Sequence, residues 1–93
     1  MIRSFRCAET ERIFQLKRAR RLPGEIQQVA LRKLRMFHRA ISLDDLRIPP
    51  ANHLEKLGGT RSGQWSIRIN KQWRVCFKWA DGDAIEVEIV DYH

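Results

Sequence analysis

The closing third of the chain alternates apolar and polar residues with a period of two, and this restricts it to half-buried β-strands. Trp65, Ile67 and Ile69 interleave with Ser66, Arg68 and Asn70. Trp73, Val75, Phe77 and Trp79 make a second apolar row, and Ile85, Val87 and Ile89 a third. Three antiparallel strands with one apolar face are predicted, and that face needs a cover. Parity then constrains the turns. For Trp79 and Ile85 to share a face the loop between them must be odd, so Asp81-Gly82-Asp83 is predicted, with Ala80 paired to Ala84. The same argument makes Asn70-Lys71-Gln72 a three-residue loop. These registers put Lys78 across from Glu86, an ordinary ion pair, and Arg68 across from Arg74, on the face away from the core. Two arginines so placed repel unless their side chains diverge or an anion such as phosphate lies between them; the pattern leaves both readings open.

The cover comes from the first half. Residues 8–19 read as a helix that buries Ile13, Phe14 and Leu16. Glu9 and Glu11 lie in its first turns and Lys17, Arg18, Arg20 and Arg21 near its end, as the helix dipole favours. After a break at Leu22-Pro23-Gly24, a second helix is predicted over 24–40, its core face carried by Ile26, Val29/Ala30, Leu34, Phe37 and Ile41. Arg32, Lys33, Arg35 and Arg39 fill much of the rest, either as a solvated face or as a grip on phosphates. Residues 2–5 suit a short opening strand. Ser42-Leu43-Asp44-Asp45 resembles a capping box that starts one further turn, which Pro49-Pro50 stops. Residues 52–63 read as a loop or short edge segment that bends at Gly58-Gly59. The fold class is α+β, in the order β-α-α-β-β-β, with an antiparallel sheet and helices packed on one face.

Ninety-three residues enclose one hydrophobic core, so residues 1–93 are expected to form a single domain. The formal net charge is +7. Eleven basic and three acidic residues fall in the first forty positions, which points to a polyanionic partner, nucleic acid first. No apolar run exceeds three residues, so neither a signal-peptide core nor a membrane span is expected, and a cytoplasmic location is. Cys7 and Cys76 lack ligand or disulfide spacing and read as packing residues; no metal or cofactor site is expected. The end of the chain, Asp91-Tyr92-His93, supplies a possible base, a stacking ring with a hydroxyl, and an imidazole that exchanges protons near neutrality. On composition alone the same residues read as a frayed polar tail, the commoner fate of terminal residues.

Met1 to Phe5, the segment Gly63-Gln64-Trp65-Ser66-Ile67, the strand Gln72-Trp73-Arg74-Val75-Cys76-Phe77 and the closing Asp91-Tyr92-His93 together resemble HigB-type toxins. These belong to the RelE/ParE superfamily of bacterial type II toxin–antitoxin systems. The resemblance spans essentially the whole chain. It implies a RelE-like fold and a metal-independent endoribonuclease that cuts messenger RNA at the ribosome. It also implies a HigA-like helix-turn-helix antitoxin, with operator DNA reached only through that protein. Messenger and ribosomal RNA are the other implied partners; no membrane is.

In such a reaction a ribose 2′-hydroxyl attacks the neighbouring phosphate. The residues this implies are Arg74 as the bidentate phosphate holder, Tyr92 as a stacking or phosphate-binding group, His93 as the acid and Asp91 as an orienting carboxylate. Strict strand continuation would turn Asp91 toward the core, so the strand is expected to end or bend there. Family members often carry a His and a Lys in the stretch that aligns with Leu54-Glu55-Lys56-Leu57-Gly58-Gly59. Here Glu55 stands at the His position and Gly58 at the Lys position, which leaves Glu55 as the candidate base, removes one cation and implies weakened activity. Arg68, Arg61 and Lys56 are expected to compensate through RNA binding, beside Arg32, Lys33, Arg35 and Arg39. Two other functions compete: a ParE-like toxin that binds gyrase, against which the terminal Asp-Tyr-His argues, and a noncatalytic RNA-binding module worked by the helix arginines.

Overall fold

The computed structural model describes residues 1–92. The alternating rows form a four-stranded antiparallel sheet in chain order: β1 (Glu55–Lys56), β2 (Trp65–Arg68), β3 (Trp73–Ala80) and β4 (Asp83–Asp91). The edge segment expected within 52–63 is β1. Ile67, Val75, Phe77 and Val87 are fully buried on one face. Ile67 pairs with Val75 and Arg68 with Arg74, as parity requires. The 70–72 loop has three residues; Asn70 Oδ1 closes it by accepting the amides of Gln72 and Trp73 at 2.9 and 2.8 Å.

The β3–β4 connection differs from the expectation. Ala80 pairs with Asp83 and Trp79 with Ala84, which leaves a two-residue turn, Asp81-Gly82. Both turn residues are left-handed (φ 53° and 80°), the backbone a tight hairpin demands. The register then shifts between Cys76 and Lys78, so Glu86 and Val87 together oppose Phe77. Glu86 has φ 51°, a β-bulge. An even turn plus one extra residue has the same parity as an odd loop, so alternation alone does not separate them. Ala84, not Ile85, faces the core, and beyond the bulge Val87 and Ile89 return to it. The Lys78–Glu86 ion pair forms across the bulge at 2.9 Å.

The opening residues run parallel to the outer edge of β4 through two isolated bridges, Ile2 to Ala84 and Phe5 to Val87, instead of a continuous strand. Between them Ser4 Oγ accepts the amide of bulged Glu86 at 2.9 Å. Thr10 Oγ1, buried, takes the amide of Ile89 at 3.0 Å. The edge of β4 thus has its amides occupied.

Helix α1 (Ala8–Phe14) is shorter than its sequence pattern. Leu16, expected in the core, is left-handed (φ 63°) and 71% exposed, and the basic run after it leaves the helix. Helix α2 (Gly24–Arg39) matches its expected span. Ile26, Ala30, Leu34 and Phe37 pack on the sheet, Phe37 edge-on to Phe77 at 4.5 Å between centroids. Backbone at Ala40 is extended, which turns Ile41 outward to 84% exposure in place of its expected core position. The cap forms as read: Asp45 Oδ2 accepts the amides of Ile41 and Ser42, opening a 3₁₀ turn over Leu43–Leu46. A second 3₁₀ turn, Pro50–Asn52, leads into β1.

Candidate active site

Alternation sends Ser66, Arg74 and Cys76 to the sheet face opposite the helices, and the register aligns Glu55, Ser66, Cys76 and Glu88 as one row across four strands. Arg74 is the centre of this face. Its Nε donates to Ser66 Oγ at 2.8 Å and its Nη2 to the His53 carbonyl at 2.7 Å. Glu55 Oε2 lies 3.9 Å from Nη2, and the Tyr92 ring centroid 5.8 Å from the guanidinium carbon. The Arg74 side chain is only 11% exposed, whereas Glu55 and Tyr92 open to solvent. Three of the residues singled out in the sequence therefore converge. The guanidinium plane is held on two nitrogens, and Nη1 has no hydrogen-bond partner among the described residues. A planar cation fixed in this way can meet a phosphate oxygen without first losing side-chain freedom.

The repulsion between Arg68 and Arg74 is resolved by divergence. Arg68 turns to the Asn70 carbonyl at 3.1 Å while Arg74 reaches back toward Ser66.

Asp91 departs from the expectation. β4 runs through it, paired to Trp73, and the Tyr92 amide continues the ladder to Gln72 at 2.6 Å. Asp91 consequently shares the helix-side face with Trp73 and accepts Gln72 Nε2 at 3.0 Å, away from Arg74 and Tyr92. His93 lies outside the described residues.

The expected RNA-binding residues divide between the two sides of the sheet. Arg61 folds over the Arg74 face, donating to Glu88 at 2.9 Å and Gln64 at 3.1 Å. The Glu88 carboxylate pushes its pKa up, and this half-buried pairing, not an open cation, is what the sequence did not reveal. Beside it Arg6, Thr60, Arg61 and Gln64 line a cleft of about 230 Å³. Beneath the same face burial pushes the Cys76 thiol up, in keeping with a packing residue.

Lys56 and Arg47 instead flank the Trp65 ring on the helix side, each 6.0 Å from its centroid. Arg32, Arg35 and Arg39 form a stripe on the outer side of α2, along a groove of about 560 Å³, with the sheet between them and Arg74. Lys33 is a correction: it lies on the apolar side of α2, 5% exposed, its ammonium bonded to Asn52, and burial pushes its pKa down. It is not a surface phosphate grip.

Sequence reasoning missed Ser66 and His53 as holders of Arg74. Ser66 was within reach of it, as a diagonal cross-strand neighbour of Arg74 on one face. The His53 carbonyl had no such signal, because its direction depends on a left-handed backbone (φ 45°).

Among the described residues no helix is long and apolar enough to cross a membrane. Residues 3–93 match the family described as HigB-like toxin, a RelE-like toxin of the type II toxin–antitoxin system HigB. The chain is 46% identical over 69 residues to Toxin HigB-1 of Vibrio cholerae, which covers 74% of this chain and 73% of that protein. It is 40% identical over 64 residues to an uncharacterized protein of Haemophilus influenzae, 69% of this chain and 63% of that one. To Endoribonuclease HigB of Proteus vulgaris it is 42% identical over 40 residues, 43% and 44% of the two chains.

Proposed function

The chain belongs to the HigB-like toxin family of type II toxin–antitoxin systems, and from that premise we propose that it is an endoribonuclease that cuts messenger RNA during translation on the ribosome. The observation that carries this reading is the convergence of Glu55, Tyr92 and a doubly anchored Arg74 on the helix-free face. The name of the Proteus vulgaris relative supports the reaction type.

Glu55 takes the proton of the ribose 2′-hydroxyl, whose oxygen then attacks the adjacent phosphorus. Arg74 neutralises the charge that builds on the nonbridging oxygens, a task a preorganised guanidinium performs without reorganisation. The departing 5′-oxygen receives a proton from His93, the expected acid. Tyr92 stacks on a flanking base or bonds the phosphate. Arg68, and Arg61 through its cleft, follow the RNA backbone along the same face, while Asp91 supports the end of β4 through Gln72. No step in this scheme calls on a metal. Arg32, Arg35, Arg39 and Lys56, on the far side, supply attraction to ribosomal RNA that weakens with salt. Glu55 and Gly58, in place of the family's His and Lys, make the enzyme a slow one. A HigA-like helix-turn-helix antitoxin neutralises it in the cytoplasm and carries it to operator DNA.

The test is induction in bacteria, with messenger 5′ ends mapped for the parent and for Arg74→Ala. New ends inside translated frames, lost in the variant, are expected. Growth arrest with supercoiling defects and no new ends would point to gyrase instead, and undiminished cutting by the variant would remove Arg74 from the chemistry.

A further inference from the structure

A lysine on the core side of a helix is costly unless its ammonium finds a partner. Lys33 finds Asn52, whose side chain is itself wholly buried. Asn52 is used at both ends: Oδ1 accepts from Lys33, and Nδ2 donates to the Leu46 carbonyl at 3.0 Å while approaching Met36 Sδ at 3.8 Å. Its amide closes the Pro50–Asn52 turn on the Pro49 carbonyl at 2.9 Å. The next residue is His53, at φ 45° and ψ 58°, a left-handed conformation that a residue with a Cβ adopts only when its surroundings fix it. Its carbonyl receives Arg74 Nη2 at 2.7 Å. Two residues on, Glu55 begins β1 and pairs with Ser66, the acceptor of Arg74 Nε.

We infer that the buried Lys33–Asn52 pair is a positioning element for Arg74: it pins the turn that aims the His53 carbonyl at Nη2 and sets the start of the segment carrying Glu55. Lys33 and Asn52 do not touch the reacting atoms. They act through the backbone of residues 52–55, so the helix layer reaches through the core to hold a group on the opposite face of the sheet. The inference rests on the reading of Arg74 as the phosphate holder, but its geometric half stands separately.

The experiment compares the parent with Lys33→Met, Lys33→Arg, Asn52→Leu and Arg74→Ala. It measures the single-turnover cleavage rate of a messenger on translating ribosomes, affinity for the same complex, melting temperature, and the Arg74 guanidinium signals by nitrogen-edited NMR. Lys33→Met and Asn52→Leu should lower the cleavage rate about 10- to 100-fold, with affinity within about twofold of the parent. They should shift the Arg74 Nη signals while Nε, held by Ser66, moves little. Lys33→Arg keeps a cationic donor for Asn52 Oδ1, leaves the Asn52 bond to Leu46 in place, and should retain cleavage within about threefold. Full-rate cleavage by Lys33→Met, or Arg74 Nη signals identical to the parent's, would overturn the inference. If either apolar variant does not fold, Lys33→Arg decides: parent-like cleavage and Nη signals support the inference, and a loss as deep as that of Arg74→Ala overturns it. Full-rate cleavage by Arg74→Ala would instead sink the functional reading, and the NMR comparison would still judge the positioning role.

Discussion

Replacing Ser66 by Ala removes a single oxygen, one that is fully buried and accepts Arg74 Nε at 2.8 Å. Volume hardly changes, so the cost is the lost hydrogen bond to a charged donor, about 1.5–3 kcal/mol. Water replaces the hydroxyl poorly, since the Arg74 side chain is 11% exposed, and Glu55 at 3.9 Å from Nη2 does not reach Nε. The bond to His53 at 2.7 Å survives and keeps the loss from exceeding that range. For a domain of this size about 2 kcal/mol corresponds to a melting temperature lower by roughly 8–16 °C. The assay is thermal unfolding followed by circular dichroism at neutral pH, repeated in urea. Released at one nitrogen, the guanidinium also loses its fixed plane, and the cleavage rate should fall about tenfold or more. A variant that melts within about 2 °C of the parent and cuts at the same rate would refute the claim that Ser66 holds Arg74.

Gly58 offers a gain of function. A Cβ there meets nothing within 4 Å and its φ of −122° suits any residue, so Gly58→Lys together with Glu55→His should raise the single-turnover rate by about tenfold or more; a rate at or below the parent's would count against the assignment. At the hairpin, Gly82→Ala forces a Cβ onto a φ of 80° and to 3.4 Å from the Ile41 carbonyl, and urea unfolding should register a loss of about 1–2 kcal/mol. Acid sensitivity follows from three carboxylates held below their ordinary range: Asp83 by its hydrogen bond from Arg3, Glu86 by that from Lys78, and Asp45 by the amides of Ser42 and Ile41. Because each pKa is lower folded than unfolded, their contribution is complete above the ordinary values of 3.8 and 4.5 and disappears as pH falls through the folded ones. Urea midpoints measured against pH should show a shallower acid limb in Asp83→Asn and Glu86→Gln; an unchanged limb would contradict the pairing.

The sheet was legible because strand period is a one-dimensional property. Trp65 to Ile69 and Trp73 to Trp79 each alternate without interruption, and the Arg68–Arg74 pairing follows by counting across the loop between them. Helix α2 was legible for the same reason, at its own period. The Glu86 bulge was not, since a two-residue turn with a bulge and a three-residue turn without one put the same residues on the core face after it. Leu16 and Ile41 were misread because their hydrophobicity continues a helical pattern that the backbone has already left. Lys33 was misread for the opposite reason: its charge argues for solvent, and the Asn52 that satisfies it is nineteen residues away. In the site, counting along the strands places Arg74 on the right face and the family resemblance brings in Glu55 and Tyr92, but the grip on Arg74 depends on a carbonyl, and a carbonyl has no letter in a sequence. The resemblance brings Asp91 to the site as the matching terminal carboxylate; the strand, expected to end or bend there, continues instead, and its alternation turns Asp91 to the other face.

On the proposed function, the face built around Arg74 cuts RNA by using the substrate's own 2′-hydroxyl. The most direct test gives the purified protein a messenger on translating ribosomes, mapped for its cut site, beside the same messenger with a single 2′-deoxynucleotide immediately 5′ to the scissile phosphate. Expected are 5′-hydroxyl and 2′,3′-cyclic phosphate ends from the all-ribose messenger and no cut at that position in the deoxy one. Cleavage of the deoxy messenger at the parent rate, or 5′-phosphate ends, would contradict it.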